Sequence, residues 1–367
     1  MKYLIIAMPG CGNLGDDLIS PLLQKKIIAQ DPNAEIGVLC CEFSEFTCLP
    51  NVKKLLFPRN IPSKFWNRNK QIISFIKGCD RIFIGGGGLF QDSHSIFTIH
   101  NYLHWLYYAT CQVDCIGVGV GPINYGFNKR YLKRVLDRPG VSIQIRDKES
   151  LDYLAKMGLT NIILGCDVVE GSELNLSTKT HEGTVLGCSI RKWADVKKSK
   201  IVDLINSQVI EKNITKVNLF VFEHSAASSE ELDFLTDISK SVNCSNTIYV
   251  YGKDPDFFDK MRESDFAIAS RYHANIIWQK IGVPVMPIPY APKVYSLYSK
   301  FGIKLFPIDS DEFSRKYLRI STFESFEIST PYSNNTISFT MLEKINNRLF
   351  ECWRFFQSIM YSIYYRL

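Results

Sequence analysis

The segment SRYHANIIWQKIG, residues 270–282, follows the apolar run FAIA without a break. Ala274, Ile277, Trp278 and Ile281 recur at the spacing of one helix face, and Ser270 is suited to cap the helix start. Arg271 and His273 then fall in the first helical turn, at the positive end of the helix dipole. A cation there is unfavourable unless an anion is present to meet it. Arg191, in CSIRKW at the end of another strand-like run, is placed to point into the same crevice. Its planar guanidinium suits carboxylate and phosphate. Each residue alone could serve a structural ion pair. Together they predict an anion site rich in positive charge.

A second group of loops lies near the N-terminus. In PGCGNLGDDLI, residues 9–19, Gly10, Gly12 and Gly15 spell G-x-G-x-x-G after the apolar run 3–8, the pattern of a dinucleotide loop. Asp16 and Asp17 follow at once, where a pyrophosphate would have to sit. They suit the helix start and repel a diphosphate, and Glu42 comes late for a ribose-gripping acid. Asn13, Asp16 and Asp17 fit a neutral polyhydroxylated partner better. The structural alternative is a tight turn leading into a well-capped helix. GGGGLFQD (85–92) and GVGVGPI (117–123) repeat a glycine-loop design after two further strand-like runs, and Asp92 stands just beyond the first of them. Glycine lets backbone approach a ligand closely, so these loops are expected to converge on one crevice.

The other histidines carry weaker signals. His100 and His104 are four apart on an expected helix, but Asn101 stands where a zinc-binding HExxH motif needs glutamate. They are expected on a core-facing helix side, and no metal site is expected. His94 is placed near the cleft, while His181 and His224 read as loop residues.

These loops need a scaffold, and the hydrophobic pattern supplies one. Short apolar runs at 3–8, 36–41, 81–85, 115–121, 142–147 and 161–165 alternate with amphipathic stretches such as 17–30 and 148–158. The polar segment 170–184 then interrupts, and the pattern restarts with runs at 185–190, 217–222, 247–251, 266–270 and 283–288. This is α/β alternation. It predicts two Rossmann-like doubly wound domains, 1–170 and 185–310, joined by a linker at 171–184 and facing a central cleft. A closing segment, 311–367, ends in the aromatic-rich FECWRFFQSIMYSIYYRL (350–367). That stretch is expected to form a helix packed across both domains, with a membrane-interface helix as the alternative.

Composition narrows the class of function. A chain of 367 residues with 46% hydrophobic and 22% charged residues is globular rather than disordered. The net charge of +6 is dispersed, without a basic arm for nucleic acid. The 11 cysteines form no CxxC pair and read as small core residues of a reducing compartment. No apolar run is long enough to span a bilayer. A cytoplasmic protein is expected, with at most peripheral contact at the inner face of the membrane through the C-terminal segment.

The order and spacing of GNLGDD (12–17), GGGGLFQD (85–92), GVGVGPI (117–123), IRDKES (145–150), SIRKW (189–193), SRYH (270–273) and PIPYAPKV (287–294) resemble the polysaccharide pyruvyl transferases. The resemblance implies a two-domain fold like that of GT-B glycosyltransferases. It also implies transfer of the enolpyruvyl unit of phosphoenolpyruvate (PEP) to sugar hydroxyls as a ketal, with release of phosphate. PEP would be a co-substrate and no cofactor is implied; the acceptor would be a glycan or glycan precursor, whether lipid-linked, nucleotide-linked or polymeric. Arg191, Arg271 and His273 match positions that hold PEP, with Ser270 and Lys293 beside them. Asn13, Asp16, Asp17, Gly86, Gly87, Gly88 and Gln91 would face the acceptor. His273 is the expected proton donor, and Asp92 or Asp16 the base or hydroxyl anchor. Asp17 departs from the glutamate that members often carry, which shortens its reach by one methylene. Three other readings stand beside this one. They are a glycosyltransferase using a nucleotide sugar, with Asp309 or Asp311 on its ribose; a non-catalytic sugar- or anion-binding protein; and, last, a nicotinamide oxidoreductase.

Overall fold

The computed structural model describes residues 1–7, 9–41, 48–58, 62–93, 95–174, 176–178, 180–194, 196–224, 229–328 and 336–364, with backbone only at 62–63 and 361–364. Glu42 and His94 lie outside them.

The first domain runs β1 (Lys2–Ile6), α1 (Leu14–Gln30), β2 (Glu35–Cys40), β3 (Lys53–Leu56), α2 (Pro62–Lys77), β4 (Arg81–Gly85), α3 (Thr98–Leu103), β5 (Gln112–Val118), α4 (Gly126–Leu136), β6 (Val141–Ile145), α5 (Lys148–Lys156) and β7 (Ile162–Leu164). A short 3-10 helix, His104–Tyr108, continues α3. The second domain runs β8 (Val185–Ser189), α6 (Lys198–Glu211), β9 (Lys216–Val221), α7 (Glu230–Ser239), β10 (Ser245–Val250), α8 (Phe257–Arg262), β11 (Phe266–Ala269), α9 (Tyr272–Lys280), β12 (Val285–Pro287) and α10 (Pro292–Ser299). The chain then leads to α11 (Met341–Tyr364).

Both sheets are parallel. Their orders are β3-β2-β1-β4-β5-β6-β7 and β10-β9-β8-β11-β12. The inner strands β4 and β5 are buried along their whole length, which is why they appear in the sequence as unbroken apolar runs. β3, KKLL, gave no such signal because it is an edge strand whose two lysines are exposed.

Each sheet has one place where the winding reverses: between β1 and β4 in the first, and between β8 and β11 in the second. Ligand crevices in open α/β sheets form at such points. The loops singled out in the sequence leave β1, β4, β8 and β11, so the topology brings them to the two reversals.

The halves are laced together there rather than separated by an open gap. The Leu14 N–H donates to the Phe222 carbonyl at 3.0 Å, the His224 N–H donates to the Gly12 carbonyl at 2.9 Å, and Asn13 bridges Glu223 in antiparallel fashion. One apolar core runs from Leu14 and Leu23 of the first domain to Phe222, Tyr272 and Trp278 of the second. The start of the expected linker is also anchored. Glu170 is buried and paired with Lys300 at 2.9 Å, and the Lys280 ammonium donates to the Glu170 carbonyl at 2.6 Å.

The C-terminal segment differs from expectation. After wrapping the second domain, the chain returns to the first. Glu327 pairs with Lys26, and the Ile337 N–H donates to the Cys111 carbonyl. α11 then packs on α2 and on the 3-10 helix. It closes against the first domain rather than bridging the two.

Candidate active site

The expected anion site begins at α9. Arg271, not Ser270, is the N-cap, and no side chain caps the helix. The Ser270 hydroxyl instead accepts the Arg191 N–H at 2.8 Å, which ties the loop after β8 to the loop after β11. Arg191 and Arg271 turn toward each other and share a carboxylate. Glu223 lies 2.7 Å from Arg271 Nη2 and 3.9 Å from Arg191 Nη1.

Their electrostatic states differ. Arg271 is buried and ion-paired with buried Glu231 as well as with Glu223. Arg191 is about one-third exposed and holds Glu223 only loosely. Carboxylates balance the cations of this crevice, which corrects the expectation of concentrated positive charge. Glu223 and Glu231 leave no signature in the sequence, because counter-ions supplied by another strand and helix have no fixed spacing to Arg271. Lys293, half-buried on α10, makes no ion pair among the described residues. Burial lowers its pKa, and the Arg146 and Arg271 charges push the same way against the opposing effect of Tyr290. The Tyr290 and Trp193 rings stack at 5.7 Å beside it.

His273, in the first turn of α9, reaches the first domain. A Cβ on Gly15 would stand 1.9 Å from its Nδ1, so the ring lies directly on the start of α1 and only glycine fits beneath it. Its Nε2 is 3.4 Å from Oδ1 of Asp167, a fully buried carboxylate on the chain after β7. Asp167 is also 3.3 Å from Arg146, whose guanidinium lies over the Tyr272 ring at 4.8 Å. Burial alone would raise the pKa of Asp167. His273 and Arg146 outweigh it and hold the carboxyl well below the usual range. Sequence reasoning missed Asp167, which sits in GCDVVE between a weak strand and a polar stretch, where neither periodicity nor a glycine loop points to it.

The acidic residues of the first domain separate into two kinds. Asn13 caps α1 by accepting the Gly15 N–H at 3.1 Å. Asp17 turns inward, is buried, and accepts the Gly10 N–H at 2.6 Å, so it shapes the loop rather than facing a ligand. Asp16 remains partly exposed on the side of His273, next to the glycine loop, where a Cβ on Gly87 would stand 3.0 Å from its Oδ1. Burial raises its pKa. Glu223 and Asp167 push the same way, and His273 and Lys293 offset this only in part.

Asp92 does not face the site. It is buried, accepts the N–H groups of Asn124 and Tyr125 at 2.7 and 3.1 Å, and accepts the Asn128 amide at 2.9 Å. Burial would raise its pKa, yet these bonds hold it below the usual range. Its carboxylate finishes the start of α4, which removes it as the expected base.

The glycine loops run side by side. Phe90 pairs with Val120, and the Gly119 and Gly121 N–H groups donate to the Gly87 and Phe90 carbonyls, both at 2.8 Å. Gly86 and Gly87 have φ of 68° and 72°, a region that favours glycine. Gly88 is half-buried, and the Gln91 amide oxygen accepts the Ser93 hydroxyl at 2.7 Å. In the α3 region His104 is fully buried and His100 partly so. His100 bonds Asn128 at 3.1 Å, and burial lowers its pKa to about 4. Of the remaining loop residues, His181 lies 3.4 Å from Asp265, and Asp309 pairs with Lys200 of α6.

The pieces of sequence that meet around His273 are widely separated: Gly15 and Asp16, Gly87, Arg146, Asp167, Arg191, Tyr272 and Lys293. A family model described as polysaccharide pyruvyl transferase matches residues 13–291, a span that contains all of them except Lys293. The chain belongs to the polysaccharide pyruvyl transferase family. No curated relative matches its sequence.

Solved structures share its fold. A UDP-N-acetylglucosamine 2-epimerase described as putative, from Listeria monocytogenes, is 11% identical, with 80% of each chain covered and a TM-score of 0.52. HepE from Anabaena, solved with UDP and glucose, is 12% identical over 79% of this chain and 81% of its own, with a TM-score of 0.52. The UDP-GlcNAc 2-epimerase of Neisseria meningitidis is 12% identical over 84% and 88%, with a TM-score of 0.50. The chain thus has the two-domain GT-B architecture.

Proposed function

We propose that this transferase moves the enolpyruvyl unit of PEP onto two hydroxyls of a sugar acceptor, forming a pyruvate ketal and releasing phosphate. The observation that carries the reading is the cluster of loosely paired Arg191, Lys293, which makes no ion pair among the described residues, and His273 at the uncapped start of α9. A carboxylate and a phosphate on one small molecule match two cations and free helix N–H groups. Arg271 acts at one remove, fixing Glu223 beside Arg191. The incoming anion competes with Glu223 for Arg191.

The chemistry balances as follows. His273 gives a proton to the methylene carbon of PEP, which leaves C2 electrophilic. One sugar hydroxyl adds to C2, the C2–O bond to phosphate breaks, and the second hydroxyl closes the ketal. Of the two hydroxyl protons, one restores His273 and the other leaves with phosphate. Asp167, on Nε2, orients the imidazole and leaves Nδ1 for proton exchange. Asp16, with its raised pKa, is the side chain suited to relay a hydroxyl proton to the departing phosphate.

The test is incubation with PEP and a panel of glycan acceptors, followed by mass spectrometry for the added pyruvyl unit and a phosphate assay. Both signals are expected. The second reading is nucleotide-sugar transfer, favoured by the UDP and glucose bound to HepE. Calorimetric binding of UDP-glucose with none of PEP would replace the first reading with this one.

A further inference from the structure

Helix α11 is amphipathic in the reverse sense. Asn347, Glu351, Arg354 and Ser358, spaced by four, three and four residues, lie on one face, and all four are buried against the first domain. Glu351 accepts the Tyr108 hydroxyl at 2.6 Å, and Arg354 donates to His104 Nε2 at 2.7 Å. The opposite face carries Leu342, Ile345, Leu349, Phe356 and Met360, which are 46–68% exposed, with exposed Cys352 among them. A helix on a globular surface normally buries the apolar side and exposes the polar one. Here the polar face anchors the helix and a continuous apolar stripe faces outward.

The surroundings of the stripe indicate its occupant. Lys344 and Arg348 flank it on one side. Together with Lys70 and Lys77 of α2 they line a groove of about 780 Å³ between α2 and α11, which also holds Trp66 and Tyr108. Glu351 is the acidic residue of that lining, and its carboxyl is already engaged by Tyr108. Trp66 is 43% exposed at the groove. An apolar stripe bordered by lysine, arginine and an interfacial tryptophan has the chemistry of a helix lying on a membrane. No helix among the described residues is long and apolar enough to cross one. A second copy of the chain fits less well, because a two-fold pairing of this face brings like charges together.

We propose that the α2–α11 face seats the protein on an anionic lipid bilayer, with the stripe in the interfacial layer and the basic groove against headgroup phosphates. The proposal does not depend on the reaction catalysed. The test is co-sedimentation of the full chain with phosphatidylcholine vesicles, with and without phosphatidylglycerol. Binding to the anionic vesicles is expected to be at least about tenfold stronger and to weaken with salt. L349D/F356D and K344E/R348E are each expected to lose at least about tenfold of that binding. All four positions face outward or line the groove, so thermal unfolding of both variants should match the parent. Three outcomes overturn the proposal: no vesicle binding by the parent, binding unchanged in both variants, or a dimer in vesicle-free buffer that L349D/F356D splits while vesicle binding is absent.

Discussion

The starts of α1 and α9 both follow a strand at a winding reversal, and they meet across the site, yet they are finished in opposite ways. α1 is capped by Asn13 and has Asp16 and Asp17 in its first turn. α9 has no side-chain cap and begins with Arg271, Tyr272 and His273. A helix end whose N–H groups a side chain caps is complete without a ligand, and one left uncapped is not. The contrast separates residues that build the site from residues that await something in it. Asp17 and Asp92, acidic and next to glycine loops, belong with the builders.

The sharpest way to break this comparison is at His273. H273Q should lower turnover by roughly 10²–10⁴-fold at saturating PEP, measured by phosphate release. Near-parental turnover would end its role as proton donor. G15A tests the same contact from the α1 side. With the added methyl 1.9 Å from His273 Nδ1, the ring must move, and a loss of about 10²-fold in kcat is expected.

A smaller effect of another kind is expected at Asp92. D92A strands the buried Asn128 amide and removes the acceptor of two backbone N–H groups, and should cost roughly 2 kcal/mol of stability, read by denaturant unfolding, with KM for the acceptor unchanged. A KM effect without a stability loss would return Asp92 to the site. The sign with pH follows from its lowered pKa. Its contribution is present above the ordinary carboxylate range near 4 and fades as pH falls through the depressed value.

The smallest effect concerns Lys293. Burial depresses its pKa, and a bound anion restores it, so PEP binding should take up a proton. Affinity should then fall by a few-fold as pH rises through that depressed value. Calorimetry in buffers of different ionisation enthalpy reads the uptake, and K293M should abolish it.

Much of this arrangement was legible in the sequence. Buried parallel strands appear as continuous apolar runs, and the four site loops follow four of them directly. His273 stood out because a basic residue in a first helical turn contradicts the dipole. Other features could not be read because they depend on partners fixed only by folding. Whether a carboxylate faces a ligand or a backbone N–H is decided by neighbours remote in sequence; Asp92 is claimed by Asn124, Tyr125 and Asn128. Arg271 looked free for the same reason, since Glu231 stands forty residues away. In α11 the aromatic content was plain, but which face would turn outward depended on Tyr108 and His104 being there to receive Glu351 and Arg354.

The seam between residues 12–14 and 222–224 is made of main-chain bonds, which place little demand on side-chain identity. Residues 12–14 and 222–224 can therefore drift in side chain without undoing that seam, whereas the shared apolar core and the contacts of His273 and Lys300 with the first half cannot. A chimera that exchanges the first 170 residues with those of a relative should inherit a correctly aligned catalytic centre, provided the glycine beneath the imidazole and the partners Arg146, Asp167 and Glu170 are kept.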